Sequence, residues 1–242
     1  MKFDDDINAT SSLPSGGVEW VGKDMLKGNS PSSSLLSGGP GLVFEKPQSR
    51  FALPRIGIFG GSFNPIHKGH IALARQILRK ARLDEVWFLV TPLNPFKRAD
   101  ADLLADGLRL EMARVALSGE KGLVASDYEF HLPKPSYTWD TLQHLSKDYP
   151  EKQLVLIIGA DNWLKWDQWY HAGDILRSYE VVVYPREGCP VDENAMPKGV
   201  RLIDTRLYKM SSTDIRRRVK EGRGIARLVP GNILKLVKKY YR

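Results

Sequence analysis

From Arg55 onward, short apolar segments typical of buried strands alternate with longer segments of helical periodicity. The clearest strand patterns are RIGIFGG (55–61), EVWFLV (85–90) and QLVLIIG (153–159). Between the first two, GHIALARQILRKARL places apolar side chains at helical spacing, with basic residues on the other face. We also expect LVASDYEFHL (123–132) and VRLIDTRL (200–207) to be extended, and the Trp-rich WLKWDQWYHAGDIL (163–176) to be helical. Repeated strand–helix–strand order predicts an α/β fold, with a doubly wound parallel sheet covered by helices on both faces. Ligands of such folds bind beyond the carboxyl ends of the strands.

The first fifty residues differ in composition from the rest. Clusters such as SSLPSGG and LLSGGPG are rich in Ser, Gly and Pro and lack sustained periodicity, which is typical of a flexible segment. We therefore predict a flexible extension or leader over residues 1–50 and a single domain over residues 51–242. The extension holds five basic and six acidic residues, a net charge of −1. Because the whole chain has a net charge of +8, the domain alone has a net charge of +9.

Composition excludes some classes of protein and leaves others open. The single cysteine, Cys189, excludes an internal disulfide framework and is compatible with a reducing compartment. The sequence contains no apolar run of about 18 residues, so we expect no membrane span. Its acidic N-terminus is unlike a signal peptide. We expect a soluble cytoplasmic protein. Its positive charge favours an anionic partner, whether nucleic acid, acidic membrane or a phosphorylated small molecule.

The stretch IGIFGGSFNPIHKGHI (56–71) places two of the five histidines three residues apart. Gly60 and Gly61 end the first predicted strand, where the missing Cβ lets backbone N–H groups approach a ligand. A helix is predicted to begin near His67 or Gly69, and the N-terminus of a helix favours an anion. Three interpretations compete: a metal site, plain packing, and phosphate binding by His67 and His70. A metal site needs three or four ligands, for which the other residues give little support, so phosphate binding is our prediction.

A second polar stretch, SSTDIRR, lies near the C-terminus. Ser211, Ser212 and Thr213 form a predicted helix start, where hydroxyl and N–H groups can accept a polyanion. Arg216 lies one turn further, where its guanidinium could bind two phosphate oxygens. Taken alone, the stretch also fits a capped surface helix.

These two stretches, in this order, resemble the paired signatures of the nucleotidyltransferases that carry a His-x-Gly-His motif. GGSFNPIHKGH resembles the first signature, and KMSSTDIRRRV the second, with Met210 in the position of an isoleucine. The resemblance implies a Rossmann-like nucleotidyltransferase fold in which both segments converge on ATP. It places His67 and His70 at the α-phosphate, and it assigns further residues to the ATP site: Gly60, Gly61, Ser62, Phe63, Ser211, Ser212, Thr213 and Arg216.

Three more segments resemble those of nicotinate-nucleotide adenylyltransferases: TPLNPFK (91–97), PSYTWDTL (135–142) and IIGADNWLKWDQW (157–169). The resemblance thus covers residues 55–242. It implies transfer of the adenylyl group of ATP to nicotinate mononucleotide, which releases pyrophosphate and yields nicotinate adenine dinucleotide for NAD biosynthesis. It also implies Mg²⁺, bridging the ATP phosphates and held mainly through the substrate.

The same segments supply candidate substrate contacts. A pyridine ring calls for an aromatic face, which Trp169 or Trp166 can provide, although each tryptophan also fits a core position. Asn94, Thr138 or backbone amides near Tyr137 are candidate donors to the nicotinate carboxylate. The resemblance assigns Gly159 and Asp161 to the adenosine part of ATP, where a carboxylate can accept from ribose hydroxyls.

The chain departs from the family pattern at two positions. Asn64 stands where Asp is common, and because both residues form turns we expect little consequence. Phe96 stands where the family often has His, directly before Lys97. We retain Lys97 as a catalytic candidate together with His67, His70 and Arg216.

Other functions remain open at this point. The acceptor could be nicotinamide mononucleotide or phosphopantetheine instead of nicotinate mononucleotide. From a different class, the basic domain could bind nucleic acid, but its positive residues are dispersed apart from RRRVK and KLVKKYYR. We therefore expect small-molecule partners, with neither nucleic acid nor a membrane among them. The sequence is compatible with a homo-oligomer.

Overall fold

The computed structural model describes residues 52–92 and 103–242. In these ranges the strands are β1 (Arg55–Gly61), β2 (Glu85–Val90), β3 (Leu123–Ser126), β4 (Gln153–Gly159), β5 (Glu180–Tyr184) and β6 (Val200–Leu202). The α-helices are α1 (Lys68–Lys80), α2 (Asp106–Leu117), α3 (Thr138–Asp148), α4 (Ala160–Trp163), α5 (Ala172–Ser178), α6 (Ser212–Lys220) and α7 (Leu234–Tyr240). Short 3₁₀ helices lie at Tyr128–His131, Trp166–Gln168, Glu193–Ala195 and Gly231–Ile233.

Three of the sequence predictions lie outside the described residues. They are the flexible extension over residues 1–50 with the domain start at residue 51, the substrate contact of Asn94, and the catalytic role of Lys97 beside Phe96. These stay predictions. No helix in the described part of the chain is long and apolar enough to cross a bilayer.

The six strands form one parallel sheet in the order β3-β2-β1-β4-β5-β6. This is the strand order of a doubly wound, Rossmann-like fold, so the predicted fold class is confirmed. The winding direction reverses between β1 and β4, and ligands of such sheets bind at the carboxyl ends of the two strands beside that switch point. The Gly60–Gly61 end of β1 and Gly159 at the end of β4 lie there.

The two faces of the sheet are buried by different helices. Along β4, Leu154, Leu156 and Ile158 pack into a core with α3 and α5, while Val155 and Ile157 pack into a core with α1 and α2. Side chains of a strand alternate between faces, and here both faces are covered, which explains why these strands are continuously apolar rather than alternating with polar residues.

Two predicted strands are shorter than the sequence indicated. The segment 123–132, expected to be extended, leaves the sheet after Ser126, whose Oγ accepts a hydrogen bond from the Tyr128 N–H and starts a 3₁₀ turn. In the segment 200–207, the strand that pairs with β5 spans Val200–Leu202 and ends there. Both strands lie at sheet edges, where a single neighbour supplies the ladder hydrogen bonds.

The Trp-rich segment, expected to be helical through residues 163–176, is divided. Helix α4 ends at Trp163, a 3₁₀ helix follows at Trp166–Gln168, and α5 begins only at Ala172. The backbone of His171 is left-handed, with φ of 54°, which prevents one continuous helix.

Arg109 on α2 is fully buried and connects the carboxyl ends of two strands. Its Nη1 donates to the carbonyl oxygen of Thr91, at 3.0 Å, and to that of Ser62. Its Nε donates to the Leu104 carbonyl at 2.9 Å, and its Nη2 pairs with the Asp106 carboxylate at 2.6 Å. One side chain thus fixes the loops after β1 and β2.

We predict that Arg109→Met lowers the free energy of unfolding by about 3–5 kcal/mol, because buried carbonyl oxygens and a carboxylate would lose their donor. The matched control is Arg75→Met, which removes a half-exposed guanidinium paired with Glu120 and should change stability by at most about 1 kcal/mol. Urea unfolding of both variants measures the difference. Equal effects would contradict the structural role of Arg109.

Candidate active site

The loop between β1 and α1 has a tightly specified backbone. Phe63 is left-handed, with φ of 41°, and the Asn64–Pro65 peptide is cis. The Phe63 ring is buried against Phe59 and Phe88, which holds an unfavourable backbone conformation in place. Its side chain therefore belongs to the core, and only its backbone is available to the ATP site that the sequence assigned to it.

His67 and His70 cap helix α1 reciprocally. The Nδ1 of His67 accepts from the backbone N–H of His70, and the Nδ1 of His70 accepts from the backbone N–H of His67, both at 3.3 Å. The two rings stack with centroids 3.6 Å apart. Because a backbone N–H can only donate, both Nδ1 atoms are acceptors, and the proton of each neutral ring is on Nε2.

Electrostatics keep both rings neutral. Burial, and after it the positive charge of Arg186, lower the pKa of His67 to about 4. The pKa of His70 lies well below its ordinary value because of burial, then the neighbouring His67, then Arg186. At physiological pH the pair therefore offers two neutral Nε2–H donors rather than two cations, a form suited to hydrogen bonding phosphate oxygens.

The second signature is docked directly on the loop of the first. Helix α6 begins at Ser212 as predicted, and Ser211 caps it by accepting from the Asp214 N–H at 3.1 Å. The Ser212 hydroxyl donates to the Pro65 carbonyl, and Arg216 Nη1 donates to the Asn64 carbonyl, both at 2.9 Å.

The members of this second signature differ in exposure. Ser211 and Thr213 are exposed, while Arg216 is buried against the loop. In the described structure Arg216 therefore joins the two signatures, and its predicted contact with phosphate remains to be tested.

Asn64 has a larger structural role than expected from its place in the turn. Its Oδ1 accepts from the Tyr241 hydroxyl at 2.6 Å and from the Leu104 N–H at 3.2 Å. The loop, the entry to α2 and the C-terminal helix thereby meet at one buried side chain.

A pocket of about 130 Å³ opens at the switch point of the sheet. Predicted site residues that line it are Gly60, Gly61, Tyr137, Thr138, Gly159 and Trp169, while Thr91, Glu129, Ser136, Asn162 and Tyr170 line it without having been predicted. Trp169 stacks on Trp166 with centroids 5.0 Å apart. Trp166 is buried in the core, so Trp169 is the tryptophan available to a ligand.

The histidines adjoin this pocket instead of lining it. The ring of His70 packs edge-on against Phe63 and Phe59, and Phe59 is part of the pocket wall. The residues of the second signature lie on the histidine side, outside the pocket lining. The structure thus has two adjacent halves: an enclosed half, lined by aliphatic and aromatic side chains, and a half built from the two signatures.

Asp161 and Arg186 lie at the strand ends beside these halves. Arg186 Nε is 3.4 Å from Asp161 Oδ1 in a half-exposed ion pair. A Cβ on Gly159 would approach that carboxylate oxygen to 2.3 Å, so glycine is required for Asp161 to fold back over the strand end.

Comparison with known proteins agrees with this geometry. Residues 58–218 match the family described as cytidylyltransferase-like. A Bacteroides fragilis protein named probable nicotinate-nucleotide adenylyltransferase is 47% identical over 174 residues, covering 72% of this chain and 86% of its own length. The protein of that name from Cytophaga hutchinsonii is 42% identical over 189 residues, covering 77% and 98%. The chain belongs to the nicotinate-nucleotide adenylyltransferase family.

A solved structure with the same fold is the Plasmodium falciparum nicotinic acid mononucleotide adenylyltransferase complexed with NaAD. It superposes with a TM-score of 0.62 at 20% identity, covering 77% of this chain and 94% of the other. At this identity the likeness establishes the fold.

Arg186, Glu129 and Ser136 are among the polar residues of the site that were not identified from sequence. Arg186 lies two residues after the end of β5, and a basic residue near the carboxyl end of a strand could have marked it as a site candidate. Glu129 and Ser136 gave no such signal. Glu129 lies in a segment that we expected to be an extended strand, and Ser136 was considered only as part of the motif PSYT.

We predict that Gly69→Ala displaces the histidine pair, because the new Cβ would lie 3.1 Å from His67 Nδ1 and Cε1. Binding of inorganic triphosphate should weaken at least about tenfold, since small displacements of positioning groups have large effects. Stability should change by no more than about 1 kcal/mol, because alanine is the better helix former. Calorimetric titration and urea unfolding measure both quantities.

The matched control for this variant is Gly107→Ala. Gly107 is likewise the second residue of its helix, but a Cβ there meets nothing within 4 Å. Its triphosphate affinity should equal that of the wild type. Unchanged affinity in Gly69→Ala would show that the glycine does not position His67.

Proposed function

We propose that this chain transfers the adenylyl group of ATP to nicotinate mononucleotide, producing nicotinate adenine dinucleotide and pyrophosphate in NAD biosynthesis. The observation that carries the proposal is the pair of neutral histidine donors beside a pocket with aromatic side chains in its wall, at the switch point of the sheet. The names of the relatives, and the order of the five sequence segments, support the same activity. We assign the reaction to the cytoplasm.

The chemistry requires positioning more than proton transfer. The acceptor phosphate has a second pKa of about 6, so it is largely ionised at neutral pH. One of its oxygens attacks the α-phosphorus of ATP, a new P–O bond forms, and the bond to the departing pyrophosphate breaks. No general base is needed. Fixing two substrates in line can supply roughly 7–11 kcal/mol of the barrier reduction.

In this proposal the histidines bind the α-phosphate. The Nε2–H groups of His67 and His70 donate to its oxygens, and each such donor contributes on the order of 3 kcal/mol as charge develops. Because both rings are neutral, positive charge must come from other residues, and Arg186 is the cation that lowers the pKa of both rings. Arg186 thus joins the residues that counter the phosphate charge.

The outer phosphates extend toward the second signature. Ser211 and Thr213 at the start of α6 supply exposed hydroxyl groups there, and Ser212, Arg216 and Lys97 complete our assignment. Gly60, Gly61, Ser62 and Phe63 contribute backbone N–H groups. Mg²⁺ supplies charge neutralisation on the phosphates of ATP, and we assign its binding to those phosphates, since the described residues contain no cluster of three His, Cys, Asp or Glu side chains suited to a metal.

The enclosed half receives nicotinate mononucleotide. The pyridine ring stacks on Trp169, and its carboxylate points to the start of α3 at Tyr137 and Thr138, with Asn94 as a further donor. On the other side of the switch point, Gly159 and Asp161 hold the adenosine of ATP.

The direct test is pyrophosphate release from ATP with nicotinate mononucleotide, nicotinamide mononucleotide and phosphopantetheine in parallel. We expect the nicotinate compound to give the highest kcat/KM. Release with phosphopantetheine alone would assign the alternative acceptor, and absence of release with all three would refute adenylyl transfer.

The same assay tests the histidines. His70→Ala should lower turnover at least about a hundredfold, because a preorganised donor at the reacting phosphate is lost. The control is His144→Ala, which removes an exposed ring that contacts the Asp140 carbonyl of its own helix α3. Near-normal turnover in a folded His70→Ala protein would contradict the assignment.

A further inference from the structure

The wall of the pocket contains two buried polar side chains that each have an atom without a hydrogen-bond partner in the described structure. Glu129, in the 3₁₀ helix after β3, and Ser136, just before α3, are each only 7% exposed. Thr141 Oγ1 donates to Glu129 Oε1 at 3.1 Å. Among the described residues, Glu129 Oε2 and Ser136 Oγ have no hydrogen-bond partner, although both residues line the pocket.

Such atoms call for an explanation. Most buried polar groups in folded proteins are paired, because leaving one unpaired costs its full desolvation free energy. One orphan atom could be incidental, but two in the wall of one pocket indicate a ligand group that pairs with both.

We propose that Glu129 and Ser136 bind the carboxylate of the pyridine substrate and determine the preference for nicotinate over nicotinamide. The inference rests on the proposed function, because it takes nicotinate mononucleotide as the occupant of the pocket. It adds two specificity-determining residues to the backbone amides near Tyr137.

The charge of the pocket favours neutral donors. Among the described residues that line it there is no Lys, Arg or His, and Glu129 is the one acidic side chain. A carboxylate entering the pocket therefore finds no cationic partner in this lining and must be held by neutral hydrogen-bond donors. Ser136 supplies one through its hydroxyl group.

In the proposed complex Glu129 supplies the second donor as a carboxylic acid, which takes up its proton as the substrate carboxylate binds. Burial raises its pKa, and this effect exceeds the opposing influence of the Thr141 and Thr91 hydroxyls. Because Thr141 donates to Oε1, the proton belongs on Oε2, the atom without a partner. A bound substrate carboxylate strengthens this state, since two adjacent carboxyl groups do not both ionise readily.

Two donors distinguish the acid from the amide. A carboxylate presents acceptors to both Oε2–H and the Ser136 hydroxyl. A carboxamide presents one acceptor and one N–H₂ group, so a donor would face a donor and a buried group would lose its partner. Mismatches of this kind are the basis of strong discrimination between similar substrates.

The test compares steady-state kinetics of Glu129→Ala, Glu129→Gln and Ser136→Ala with both mononucleotides. Glu129→Ala should raise KM for nicotinate mononucleotide by about 10- to 100-fold and leave KM for ATP unchanged. The ratio of kcat/KM for nicotinate mononucleotide to kcat/KM for nicotinamide mononucleotide should fall by the same factor. Glu129→Gln should retain most of the preference, because its N–H₂ replaces the Oε2 donor. Ser136→Ala should reduce the ratio in the same direction. The control is Glu193→Ala, an exposed carboxylate outside the pocket lining.

The outcomes separate this inference from the proposed function. If the wild type turns over nicotinate mononucleotide but the variants keep its acid-to-amide ratio, or lose both substrates equally, the inference alone is overturned. If the wild type turns over neither mononucleotide, the proposed function fails and the inference with it. Should Glu129→Ala not fold, the ratios of Glu129→Gln and Ser136→Ala decide.

Discussion

The reciprocal hydrogen bonds between His67 and His70 are the constraint on which the site depends. Each ring satisfies the backbone N–H of the other residue at the start of α1, so a helix cap and a pair of aligned side chains are one structure. The cap sets the tautomer, and burial sets the charge. The result is a pair of neutral donors with fixed direction, which needs no reorganisation when phosphate charge develops.

Two helices of the surrounding fold, α2 and α6, hold the loop before this cap in place. Arg109 on α2 donates to the carbonyl oxygens of Ser62 and Thr91, which follow the ends of β1 and β2. Arg216 and Ser212 bind the loop carbonyls from α6. These polar side chains hold backbone carbonyl groups of the loop in place. Residues more than 140 positions apart in sequence thereby meet at one site.

The sequence predicted the fold class because buried parallel strands and amphipathic helices have different periodicities. It also predicted that the two signatures converge, and that Tyr137, Thr138 and Trp169 accompany the strand-end glycines. It did not predict the burial of Arg109, which depends on carbonyl oxygens 18 and 47 residues away. The roles of Glu129 and Ser136 were equally inaccessible, because an unpaired atom is recognised only when every neighbour is placed.

Nitrogen-15 NMR of histidine-labelled protein tests the central claim most directly. Two of the five histidine rings, assigned by single substitution of His67 and His70, should show a proton on Nε2 and none on Nδ1. Because the pKa of His67 is about 4 and that of His70 is also far below its ordinary value, both rings should stay neutral from pH 7.5 down to about pH 5. Protonation of either ring near pH 6.5, or a proton on either Nδ1, would contradict the account.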